Sequence, residues 1–108
     1  MKVVRKNAGS PKDKMKVTRG NVFTDLGFTP AEAGNLRMRS RLMTALRDFI
    51  AREGLTQADA ARRLKVSQPR ISDLTTGKIS RFSLDALVNM LANAGMEVDF
   101  QVRSRRVA

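Results

Sequence analysis

A chain of 108 residues has room for one hydrophobic core rather than two, and its 21 Lys and Arg against 10 Asp and Glu give it a field that favours DNA, RNA or an anionic membrane face. Cysteine and histidine are both absent, which removes disulfides, thiolate zinc sites, the commonest metal ligand and the commonest general base. Asp25, Glu32, Asp48, Glu53, Asp59, Asp73, Asp85, Glu97 and Asp99 are scattered without the pairing that acid–base catalysis needs, so neither an enzyme nor a cofactor is expected.

Residues 1–20 hold Lys2, Arg5, Lys6, Lys12, Lys14, Lys16 and Arg19 against one acid, Asp13, with Gly9-Ser10-Pro11 between them and no sustained apolar period. They read as a flexible basic arm, either solvated or lying along DNA phosphates. The start, Met1-Lys2-Val3-Val4-Arg5-Lys6, lacks the apolar core of a signal peptide. No apolar run anywhere approaches the roughly 18 residues that span a bilayer. A cytoplasmic protein without a membrane partner is expected.

The first apolar cluster, Asn21-Val22-Phe23-Thr24-Asp25-Leu26-Gly27-Phe28, should pack on the domain that occupies residues 21–103. Thr29-Pro30-Ala31-Glu32 follows, with a threonine cap, a proline preset for the first helical turn and a glutamate that completes a capping box. A helix should therefore start at Pro30 and run to about Glu53. Leu42, Leu46, Phe49 and Ile50 form its buried stripe, Gly34-Asn35 is where it is expected to break or kink, and Gly54 ends it.

Thr56 and Ser67 then open two short helices, 57–64 and 68–76, separated by Lys65-Val66, and Gly77 ends the second. From Ser83 the pattern Leu84, Leu87, Val88, Leu91 gives a further amphipathic helix ended by Gly95. Five helical segments are then in place. Each hydroxyl cap is flanked by a hydrophobic staple: Phe28 with Ala33, Leu55 with Ala60, Val66 with Ile71, and Phe82 with Leu87.

Met96-Glu97-Val98-Asp99-Phe100-Gln101-Val102-Arg103 alternates apolar and polar residues, which predicts a strand over 96–102. A lone strand needs a partner. Either the Val22-Phe23 stretch or the same strand of a second chain could supply it, and pairing across a homodimer through Val98, Phe100 and Val102 is the favoured reading. Residues 104–108 form a basic tail.

The pair of short helices is written as a helix-turn-helix. Its first helix would lie across the DNA backbone, with Gln57 at its N-terminus on a phosphate, while its second enters the major groove. Ser67 would cap the N–H of Arg70. Gln68 could bond bidentately to adenine, Arg70 could reach guanine or a phosphate, and Ser72 could serve either kind of contact. Asp73 could accept from cytosine N4 or hold Arg70, and Pro69, in the first turn, offers only an apolar contact. Thr76, at the helix end, is expected among the DNA contacts, and Lys78 with Arg81 would add positive charge beside the duplex.

Residues 54–78 of this reading resemble the lambda-repressor-like (Xre/Cro) helix-turn-helix domain. The longer arrangement over about 21–103 resembles the Xre-type antitoxins of the HigA kind. The resemblance implies a five-helix DNA-binding domain, dimeric on an operator, with contacts at Gln57, Ser67, Gln68, Pro69, Arg70, Ser72 and Asp73. It further implies repression of the chain's own operon and neutralisation of a RelE-like ribonuclease toxin. Many relatives carry glutamine or another flexible polar residue where Pro69 and Asp73 stand, so the operator need not match theirs. Few aromatic residues, five Phe with no Tyr or Trp, leave little for base stacking and disfavour RNA.

Overall fold

A computed structural model describes Phe23 and residues 26–104; the basic arm assigned to residues 1–20 and the tail beyond Ser104 lie outside the described residues. Among the described residues the fold is all-α, with α1 (Pro30–Glu53), α2 (Gln57–Leu64), α3 (Gln68–Thr75), a 3₁₀ turn (Ile79–Arg81) and α4 (Leu84–Asn93). All four helices begin where their hydroxyl caps predict. Thr29 Oγ1 accepts from the Glu32 N–H at 3.1 Å while the Glu32 carboxylate accepts from the Thr29 N–H at 2.9 Å, a complete capping box. Thr56, Ser67 and Ser83 accept in turn from the N–H groups of Asp59, Arg70 and Ala86.

Three of the four staple positions, Ala60, Ile71 and Leu87, belong to the core cluster, whereas Phe28, the residue paired with Ala33, is 40% exposed. Ala33, Ala60, Ile71 and Leu87, each the fourth residue of its helix, are fully buried. Leu42, Met43, Leu46 and Phe49 of α1, Ala60, Ala61 and Leu64 of α2, Ile71 and Leu74 of α3, Phe82, and Leu87, Met90 and Leu91 of α4 form one cluster. α1 packs on α4, the 3₁₀ turn and α3, while α2 packs on α3 and α4. Burial of each Leu, Ile, Met or Phe side chain in the cluster contributes about 1.5–3 kcal/mol before chain entropy opposes it.

Two expectations are corrected. The described residues hold four α-helices rather than five, because α1 runs unbroken through Gly34 and Asn35. One glycine costs a helix only about 1 kcal/mol. Here the Arg39 side chain donates to Asn35 Oδ1 at 2.6 Å, spanning the turn that follows.

No strand forms among the described residues either: 96–102 is irregular chain. Met96 and Val98 are half-buried against the core, whereas Phe100 and Val102 are 74% and 86% exposed. The alternation therefore reports one edge laid on a helical core, not a ladder. The Phe100 N–H is taken locally by the Asp99 carboxylate at 3.0 Å, which competes with cross-strand pairing. Phe23, expected as one possible pairing partner, lies in a helical turn, and its carbonyl accepts from the N–H groups of Leu26 and Phe28.

Candidate nucleic-acid interface

The link between α2 and α3 sets the attitude of the second helix. Lys65 adopts the left-handed conformation, φ 59° and ψ 46°, and its N–H together with that of Val66 closes on the carbonyls of Arg62 and Ala61. The Leu64 carbonyl, also free at the end of α2, accepts from the Asn93 side chain at 3.0 Å. Buried Ala60 and Ala61 offer little side-chain bulk where α2 meets α3, and Ile71 and Leu74 fix the inward face of α3.

The outward face of α3 follows from that anchoring. Pro69, Ser72 and Thr76 succeed one another at helical spacing opposite Ile71 and Leu74, with Gln68 and Thr75 on one flank and Asp73 on the other. Gln68, Pro69, Thr75 and Thr76 are exposed, and Ser72 is half-buried. Thr76 Oγ1 donates to the Ser72 carbonyl at 2.8 Å and Thr75 Oγ1 donates to the same carbonyl at 3.2 Å, so each hydroxyl turns its lone pairs away from the helix backbone as acceptors. Ser67 spends its hydroxyl on the cap, and Gln57 stands exposed at the start of α2.

Two residues expected in the groove are engaged elsewhere. Arg70 Nη1 donates to the Arg81 carbonyl at 2.8 Å, and its guanidinium lies 4.8 Å from the centre of the buried Phe82 ring. Asp73 does not pair with Arg70. Its carboxylate instead lies 3.5 Å from Arg81 Nη1 and 3.9 Å from Lys78 Nζ. Lys78 and Arg81 remain 52% and 58% exposed beside the helix.

Arg39 and Arg47 of α1 join the site without having been expected there. Arg39 donates to the carbonyls of Ile79 and Phe82 at 3.1 and 3.3 Å, and Arg47 reaches the Leu74 carbonyl at 3.5 Å. The signal that could have found them is positional: Arg39, buried Met43 and Arg47 share a line at i, i+4 and i+8, so two arginines border the apolar stripe where solvated residues would be expected farther round. Val98 is packed against the core, which leaves Phe100 and Val102 as the exposed members of the three residues assigned to dimerisation.

Among the described residues no group of His, Cys, Asp or Glu could hold a metal ion, and no helix is long and apolar enough to cross a membrane. The model of a family described as a helix-turn-helix domain matches residues 22–103. A solved structure assigned to the XRE family of transcriptional regulators is 34% identical, with a TM-score of 0.65; the match covers 71% of this chain and 90% of that one. None of the curated proteins matches the chain.

Proposed function

The chain belongs to the Xre-type helix-turn-helix family, and from that premise we propose that it is a transcriptional regulator that reads double-stranded DNA with α3. The observation that carries this reading is the outer face of α3: polar and small residues Gln68, Pro69, Ser72 and Thr76 stand outward from a helix locked by Ile71 and Leu74. An amide that can bond adenine, hydroxyl acceptors and an apolar proline suit the mixed donor, acceptor and methyl pattern of a major groove. Gln57 on one side and Lys78 and Arg81 on the other supply the phosphate contacts that fix register.

The finer reading is a homodimeric autorepressor. Two copies would place their α3 helices in successive major grooves about 34 Å apart, so the operator is an inverted repeat, and Phe100 and Val102 are the side chains we assign to the contact between copies. An antitoxin role, with a RelE-like toxin as second partner, is supported by the exposed apolar residues Leu26 and Phe28 before α1 and Met38 within it. Co-expression with a neighbouring toxin gene tests it through co-purification.

The test of the main reading is selection of bound duplexes from a random pool, followed by fluorescence anisotropy at about 150 mM salt, where non-specific binding is weak. An enriched motif with two-fold symmetry, preferred at least about a thousandfold over its scrambled version, is the expected result. An unenriched pool would overturn groove reading by α3.

A further inference from the structure

We infer that Arg70 is a positioning residue that holds the cationic segment Lys78–Arg81 against α3, and that it does not read bases. This deepens the DNA-binding reading and rests on it.

The geometry starts from where the guanidinium is committed. Arg70 donates to the Arg81 carbonyl at 2.8 Å and covers the Phe82 ring at 4.8 Å. Phe82 is only 2% exposed, so the stacking partner is fixed in the core. A charge-assisted bond and a cation–π contact on an anchored ring must both be given up before Arg70 can swing to a base edge.

The same segment is also held from α1. Arg39 donates to the carbonyls of Ile79 and Phe82, and Arg47 reaches Leu74 just before the turn. Three arginines from two helices thus spend their donors on backbone carbonyls of residues 74–82. What they leave facing outward is the pair Lys78 and Arg81, whose side chains converge on Asp73 of α3. Asp73 completes the arrangement from the outer flank by aligning the two cations with the helix that enters the groove.

Such a latch has a signature that a base-reading arginine does not share. A reader loses affinity on the selected duplex alone, and removal of a simple phosphate contact lowers the salt slope by about 0.9. Loss of the latch displaces Lys78 and Arg81 as well.

The test is a double-mutant cycle of Arg70→Gln with the pair Lys78→Gln/Arg81→Gln, measured by anisotropy on the selected duplex and its scrambled version from about 50 to 200 mM salt. Arg70→Gln should weaken both duplexes by the same factor, on the order of fivefold to thirtyfold, and flatten the salt slope by about two per bound subunit. In the Lys78→Gln/Arg81→Gln background its effect should shrink below about twofold. A loss confined to the selected duplex, or one undiminished in that background, would overturn the inference.

Should Arg70→Gln be unfolded at the assay temperature, Asp73→Asn enters the same cycle with Asp48→Asn, an exposed acid on α1, as its charge-matched control. Removing an acid near DNA ordinarily strengthens binding. The latch requires the reverse at residue 73, weaker binding and a flatter slope. Tighter binding by Asp73→Asn with the slope of Asp48→Asn would sink it. A wild-type chain with no salt-dependent binding overturns the DNA-binding reading itself, whereas normal binding with an additive cycle overturns the latch alone.

Discussion

At the residue scale, Lys65 is the described non-glycine residue with positive φ, at 59°, and it sits on the turn that orients α3. For an L-residue with a Cβ this conformation costs roughly 1 kcal/mol or more, while glycine adopts it freely but loses more entropy on folding. The strain outweighs the entropy here because the turn is doubly hydrogen-bonded and cannot relax out of the left-handed region. Lys65→Gly should therefore raise unfolding stability by about 0.5–1 kcal/mol in urea titration. A decrease would show that the lysine chain makes packing contacts that offset its backbone.

Gln68 is exposed at the entry of α3, the position from which we propose that its amide reads a base. Gln68→Ala should cost on the order of 1–3 kcal/mol on the selected duplex and much less on scrambled DNA. Equal losses on both would remove it from base reading. The fold of Arg70 over Phe82 was not legible in the sequence, for a physical reason. A helix-surface arginine in the first turn of a recognition helix looks the same in sequence whether its long side chain reaches outward or folds back over Phe82, and the choice depends on a ring 12 positions away.

At the element scale, the caps and staples made the helix starts readable to the residue, since each start needs only local chemistry. Interruptions and strands were harder. Gly34 suggested a break, but a helix end requires somewhere for the chain to go, and α1 continues with Asn35 and Arg39 bonded across the next turn. The pattern from Met96 to Val102 suggested a strand, but a strand is defined by its partner, and the local bond from the Phe100 N–H to Asp99 uses one ladder donor. Because Gly34 sits in continuous helix, and a Cβ there would meet Arg37 Nη2 at an ordinary 3.8 Å, Gly34→Ala should stabilise the protein. The expected gain is about 0.5–1 kcal/mol, read as a rise in thermal midpoint of a few degrees. A fall would mean that α1 bends at this point in solution.

At the scale of the whole molecule, the chain's 21 basic residues overstate the charge available to DNA. Arg39, Arg47 and Arg70 are committed to backbone carbonyls, Arg62 pairs with Asp59, and Arg63 lies over Phe49 at 5.1 Å. Much of the domain's positive charge is therefore structural, which raises the weight of the seven cations that residues 1–20 carry against Asp13 alone. If that segment lies along phosphates, deleting residues 1–20 should weaken the selected and scrambled duplexes by the same factor and flatten the salt slope by about 0.9 for each phosphate it had neutralised. Specificity, which we assign to α3, should stay where it was. The titration separates charge from reading because the two terms respond to different variables: the arm's contribution fades as salt rises, whereas the ratio between duplexes does not depend on it. A truncated chain with an unchanged slope would show that the arm is solvated on DNA as well, and that Gln57, Lys78 and Arg81 carry the phosphate contacts by themselves.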